Sequence, residues 1–117
     1  MDSEVSRMET LDDFRARRET LNEAVLREGS REIKRFFAID HDAYEEGALS
    51  GKVKELIGLA SSTVLRCDDC ISYHIGEALD RGAAKEEIIE ALTIALVVGG
   101  SITIPHLRHA IAVLEDS

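Results

Sequence analysis

The only two cysteines of this 117-residue chain stand in the run Cys67-Asp68-Asp69-Cys70-Ile71-Ser72-Tyr73-His74. On a helix beginning near Asp68, Cys70 and His74 fall one turn apart on one face. A free thiol titrates near about 8.5 and must be brought lower to act as a nucleophile at neutral pH. A helix N-terminus, a neighbouring imidazole and a second cysteine each lower it, and Cys70 has all three. The unpaired N–H groups of the first helical turn and the positive end of the helix dipole favour its thiolate. Cys67, at or just before the helix start, is placed to close a disulfide once Cys70 has reacted. The pair reads as a dithiol that cycles.

Two blander uses of the same residues stay open. Cys67, Cys70 and His74 are three of the four ligands of a tetrahedral zinc, with a carboxylate or water as the fourth; no second Cys-x-x-Cys or His-x-His completes a structural site. The cysteines are alternatively two inert core residues. A purely structural disulfide is disfavoured, because closing so short a loop removes little entropy from the unfolded chain.

The elements that hold these residues must be helices. The chain is short enough for a single domain. With 44% hydrophobic residues, 32% charged and one proline it suits an all-α fold of about six helices rather than a disordered or all-β one. Aromatics make up 4% and Trp is absent, so the core must be aliphatic and Ala-rich, and packing against copies of itself would help. A net charge of -9 argues against nucleic acid or an anionic membrane as partner. The start lacks a secretory signal and no run reaches the roughly 20 apolar residues of a membrane span, so a cytoplasmic location is expected. There, two spaced cysteines are more often catalytic or metal-binding than structural.

In chain order, Met1 to Glu9 is polar and expected to fray. Thr10 caps a first helix with Asp12 and Asp13 in its first turn, Leu11, Phe14, Leu21 and Val25 as its apolar stripe, and Gly29 as its stop. Ser30 caps a second helix that carries Ile33, Phe36, Phe37 and Tyr44 inward and ends at Gly47, with His41 at the surface. From Lys52 to Arg66 the spacing of Val53, Leu56, Ile57, Ala60 and Val64 predicts a helix facing a core with those residues. Its small residues Gly58, Ala60, Ser61 and Ser62 allow another helix to approach closely. The motif helix follows, burying Ile71, Ile75, Ala78 and Leu79 and ending at Arg81-Gly82. Ala84 to Val98 is apolar all round in its second half, which predicts a central helix, an oligomer interface, or both. A last helix starts near Ser101 or Ile102, accepts Pro105 in its first turn, and turns Ile104, Leu107, Ile111 and Leu114 inward. His106 and His109, three apart on it, have no acidic or Cys partner nearby in sequence and are expected to be partly exposed structural residues.

Glu55 is the first acid upstream of the cysteine motif. On an uninterrupted helix it would lie about 18 Å from Cys67, so it serves the thiols only if the chain reverses near Arg66 or another subunit brings it across. The residues alone favour a surface or capping role for it. Glu77, three residues after His74, is the local competitor to orient the imidazole.

Glu55, Cys67, Cys70 and His74, followed by Ala78-Leu79-Asp80-Arg81-Gly82-Ala83 and Glu86-Glu87-Ile88-Ile89-Glu90-Ala91-Leu92 through Gly99-Gly100, resemble the carboxymuconolactone decarboxylase family, in its alkylhydroperoxidase AhpD-like branch. The resemblance makes residues 1–117 one AhpD-like domain, with N-terminal helices in 1–47 and the family core in 48–117. It implies an oligomeric all-α fold, trimeric or hexameric, that acts as a thiol-dependent peroxidase or disulfide reductase. By that resemblance Cys70 attacks the hydroperoxide or disulfide substrate, Cys67 resolves the product, His74 is base or proton shuttle, and Glu55 is the relay carboxylate. It implies no cofactor, and an external dithiol reductant of lipoamide or thioredoxin-like type. The family's decarboxylases proper lack the cysteine pair, so a lactone decarboxylase is a remoter alternative than a metal-binding or structural module. One position departs from the branch, which often carries His just before the second cysteine. Here it is Asp69, and a carboxylate facing the thiol would oppose its ionisation, although Asp68 and Asp69 also suit a helix start.

Overall fold

Most helix starts in this protein fall where the sequence supplies a side chain to cap them. In the computed structural model, which describes residues 9–117, the Thr10 hydroxyl accepts from the Asp13 N–H at 3.1 Å and opens α1 (Leu11–Glu28). Ser30 does the same for Ile33 at the head of α2 (Arg31–Ala43), and Ser50 for Val53 at the head of α3 (Gly51–Val64). Cys67 caps α4 (Asp68–Asp80) through its sulfur. At α5 (Lys85–Gly99) the Ala84 N–H donates to Glu87 Oε1 at 2.9 Å. A 3-10 turn over Ser101–Thr103 leads into α6 (Ile104–Glu115), with Pro105 in its first turn. No strand occurs among the described residues. The frayed start expected for Met1 to Glu9 falls, up to residue 8, outside them.

The motif helix α4 is the hub, with α1, α3 and α6 packed on it and α5 covering α3. Ile71, Ile75 and Ala78 of α4 are fully buried against Leu59, Ile88, Leu92, Ala110, Val113 and Phe14. The core is aliphatic and Ala-rich, as the composition requires. Because the helix carrying the cysteines is the one most enclosed, its register is held from three sides.

The sequence expectations for the inward faces of α3 and α2 are corrected, and α5 is less enclosed within one chain than a central helix would be. The buried face of α3 is Gly51, Glu55, Gly58, Leu59, Ser62 and Thr63, while Val53 and Ile57 are exposed. The apolar stripe marks a real amphipathic helix, but the face turned to α4 is the small and polar one, because it receives a polar site. In α2 no residue is buried, and Phe36 is 69% exposed rather than inward. Its stripe is genuine, yet the described residues leave Ile33, Phe36 and Ile39 largely uncovered. In α5 only Ile88, Leu92 and Ala95 are buried, leaving Ile94, Val97 and Val98 outside. Smaller shifts of the same kind expose Leu21 and Val25 on α1 and leave Ile104 and Ile111 of α6 only partly covered.

Candidate functional site

The geometry that unites the candidate residues begins at Arg66. It adopts φ of 62°, a left-handed conformation that costs a non-glycine residue roughly 1–2 kcal/mol. The Arg66 N–H donates to Thr63 O and the Cys67 N–H to Ser62 O, both at 3.0 Å, so the broken end of α3 is satisfied while the chain turns back. α4 therefore returns along α3, and Glu55 meets His74 within one chain.

Glu55 is fully buried and its Oε1 stands 2.8 Å from His74 Nδ1. This overturns the surface or capping role that residue-level reasoning favoured. Glu77 is not the orienting acid; it faces Arg15 at 3.6 Å. A carboxylate only accepts, so with Glu55 ionised His74 donates from Nδ1 and keeps Nε2 as a proton acceptor. The other Glu55 oxygen has no hydrogen-bond partner among the described residues, the Arg81 Nε lying 3.6 Å away. Arg81 is itself anchored by a bond from Nη1 to the Tyr44 carbonyl at 3.0 Å. Room for the imidazole comes from Gly58, where an added Cβ would stand 2.6–2.9 Å from three ring atoms. The small-residue run noted in α3 thus serves the approach of His74 itself. Tyr44 and Tyr73 flank the ring, with centroids at 5.4 and 5.0 Å.

Cys67 and Cys70 are joined as a disulfide at the N-terminus of α4. Cys67 is partly buried and Cys70 exposed. Cys70 and His74 line one cleft of about 300 Å³ whose far wall is α1, through Phe14, Arg18 and Leu21. Tyr73 shares this cleft under the Arg18 guanidinium, 4.1 Å from its ring centre. Its hydroxyl is pushed up to about 12, first by burial and then by the charges of Glu77 and Glu55, with Arg18 opposing. Burial, then Glu55, also raises Tyr44. Both tyrosines thus stay protonated at neutral pH and keep an O–H to donate.

The aspartates between the cysteines are engaged by other helices. Arg17 of α1 grips Asp69, with Nη2 to Oδ1 at 2.9 Å. His106 Nδ1 lies 2.7 Å from Asp68 Oδ1. His109 Nε2 lies 2.8 Å from Ser72 Oγ and 3.1 Å from the Asp68 carbonyl. Both histidines are partly exposed, as the sequence suggests, but the packing of α6 on α4 gives His106 an acidic partner distant in sequence. His41 stays at the surface, near Asp42 and Glu45. Arg17, Arg18, Arg81, Tyr44 and Gly58 were not singled out as site residues from the sequence. Only Gly58 carried a local signal, as a glycine inside a helix with reason to be small.

The sequence profile of the carboxymuconolactone decarboxylase family matches residues 33–116, most of α2 and everything after it. The chain belongs to the carboxymuconolactone decarboxylase family. Two crystal structures of one Thermotoga maritima protein superpose with TM-scores of 0.86 and 0.84 at 57% and 56% identity. They cover 88% of this chain in each case, and 90% and 87% of that one. That relative is described as a family member and a candidate participant in the antioxidative response. A further family member, apo-lpg0406 from Legionella pneumophila, aligns over 91% of this chain and 92% of its own at 28% identity and a TM-score of 0.76. An uncharacterised protein of the cox locus of Paracoccus denitrificans is 33% identical over 81 residues, 69% of this chain and 73% of that one. Among the described residues no helix is long and apolar enough to cross a membrane.

Proposed function

We propose that the protein is an AhpD-like dithiol oxidoreductase that reduces organic hydroperoxides. The observation that carries this reading is a Cys67–Cys70 pair at a helix N-terminus whose exposed sulfur shares a cleft with a buried Glu55–His74 pair. The Cys70 thiolate attacks the distal peroxide oxygen, the O–O bond breaks, and the alkoxide takes a proton to leave as alcohol while Cys70 becomes a sulfenic acid. The Cys67 thiol, losing its proton, then displaces hydroxide, which departs as water and leaves the Cys67–Cys70 disulfide. An external dithiol of lipoamide or thioredoxin-like type reduces that disulfide by two exchange steps and is itself oxidised. His74 Nε2 takes the thiol proton and returns it to the leaving oxygen, and Glu55 stabilises the imidazolium that forms in between. The same dithiol is chemically able to reduce a disulfide substrate, with a thiolate leaving in place of the alkoxide.

The experiment is turnover with an organic hydroperoxide and an external dithiol. The Cys70→Ser variant is expected to lose turnover, whereas Cys67→Ser retains a single reaction that stops at an unresolved Cys70 sulfenic acid. Undiminished turnover in Cys70→Ser would defeat the proposal. Retention of a lactone-decarboxylating activity after alkylation of both thiols would favour the decarboxylase alternative, and stoichiometric metal in protein purified without chelator the metal-binding one.

The exposed apolar residues of α2 and α5 support a homo-oligomer, trimer or hexamer, in which these faces meet other copies. Val97 at 76% and Val98 at 70% exposure extend along α5, while Phe36 and Ile39 extend along α2. Runs of this kind on a small chain mark interaction surfaces.

A further inference from the structure

We propose that Arg17 on α1 keeps Cys70 reactive by cancelling the charge that Asp69 would otherwise hold beside the sulfur. This rests on the dithiol reading above. Asp69 immediately precedes Cys70 in the first turn of α4, and Arg17, Asp69 and Cys70 line the same cleft.

The guanidinium is fixed from several sides. It reaches Asp69 with Nη2 to Oδ1 at 2.9 Å and Nη1 to Oδ2 at 3.4 Å. It reaches Glu9 with Nε to Oε2 at 2.8 Å and Nη2 to Oε1 at 3.1 Å. It also lies 5.4 Å from the centre of the Phe14 ring. A planar fork meeting a carboxylate through two bonds holds direction as well as charge, which a lysine would not.

The other charged and titratable groups near Cys70 leave this pair as the deciding one. On its own helix Asp68 is met by His106, while Tyr73 and His74 follow one turn on. From α1 come Arg17 and Arg18, from α2 Asp40, and from α6 His106 and His109, which reaches the Asp68 carbonyl. Removing Arg17 frees two carboxylates at once, Asp69 and Glu9. Like charge near a thiol disfavours the thiolate. The Arg17 and Asp69 side chains are 40% and 64% exposed, so water screens the effect. It is expected to amount to roughly a three- to ten-fold change in thiolate at neutral pH.

The test is the pH profile of Cys70 alkylation by iodoacetamide, read in the Cys67→Ser background so that one thiol reports. Arg17→Gln is expected to move the midpoint up and slow alkylation near pH 7 about three- to ten-fold. Asp69→Asn, with Arg17 in place, is expected to move it down and speed the reaction. The double variant should return to within about two-fold of the parent, a rescue that a merely structural role for Arg17 would not produce. An unmoved profile in Arg17→Gln, or a double variant as slow as Arg17→Gln alone, would overturn the inference. If Arg17→Gln does not fold, Asp69→Asn decides, and no acceleration counts against the proposal. Alkylation uses no peroxide, so the coupling can hold in a protein that proves not to be a peroxidase. An unmoved profile in an active peroxidase sinks this inference alone.

Discussion

Replacing Gly58 by alanine adds one methyl group to α3 and should dismantle the Glu55–His74 pair. The new Cβ would stand 2.6 Å from His74 Cε1, 2.8 Å from Nε2 and 2.9 Å from Nδ1. Ordinary contact needs about 3.5 Å, so the ring must retreat by roughly 1 Å. Since Glu55 and Gly58 lie on the same helix, a retreat from one stretches the 2.8 Å bond to the other toward about 3.6 Å, which is no longer a hydrogen bond. The Glu55 carboxylate, whose Oε2 has no hydrogen bond among the described residues, would then be buried with only the Arg81 Nε, 3.6 Å away, to offset its charge. Stranding one partner of a buried pair costs about 3–5 kcal/mol, against about 1 kcal/mol gained by exchanging glycine for alanine in a helix interior. The net expectation is a loss of about 2–4 kcal/mol, read by urea denaturation at fixed protein concentration, together with at least a ten-fold loss of peroxide turnover. Gly76→Ala is the control, because the atoms its Cβ would meet belong to Arg15, whose side chain is 39% exposed and can swing aside for the loss of a surface ion pair with Asp80, which costs about 1 kcal/mol or less. That variant should stay within about 1 kcal/mol of the parent. A Gly58→Ala protein with unchanged stability and turnover would refute the claim that His74 is held by this fit.

Other predictions follow from the same geometry. Glu55→Gln keeps the shape but not the charge, and peroxide turnover should fall by about ten- to a hundred-fold while Cys70 still alkylates; equal turnover would remove Glu55 from the relay. The Ala84 N–H and Lys52 hold Glu87 below the usual glutamate range. Its contribution to stability is therefore complete above the unfolded value of about 4.3 and lost as pH falls through the lower folded value. Glu87→Gln should flatten the melting temperature over that acidic window, and an unchanged acid dependence would contradict this. Val97→Asp places a charge on the exposed apolar face of α5. Light scattering should find wild type as an oligomer and this variant shifted to smaller species; a monomeric wild type would contradict the assembly.

Much of the fold was legible in the sequence because its punctuation is local. Thr10, Ser30, Gly29 and Gly82 mark ends that each depend on a few neighbouring residues, and the motif helix was fixed by Cys67 at its cap and Ile71, Ile75 and Ala78 at its core. What was hidden depends on contacts between residues far apart in sequence. Arg17 meets Asp69, His106 meets Asp68, and His109 meets Ser72 only after α1 and α6 have packed on α4. Residue-level reasoning favours a solvated Glu55, because a glutamate near a helix start is usually solvated; what brings it to His74 is the left-handed turn at Arg66. The inward face of α3 was misassigned for a related reason. Periodicity finds an apolar stripe, but in this helix the apolar stripe looks outward in part and the polar, small face receives the site. The same rule misplaces α2, whose stripe is largely uncovered among the described residues.

The central claim, that Cys67 and Cys70 form a peroxide-oxidised dithiol, is tested most directly by counting thiols. Reduced, reductant-free protein is treated with one equivalent of organic hydroperoxide, and free thiols in denaturant, peroxide remaining and intact mass are followed together. The account predicts the loss of two thiols for each peroxide consumed, a mass lower by two hydrogens, and full recovery on adding a dithiol. Two thiols surviving while the peroxide remains would contradict it.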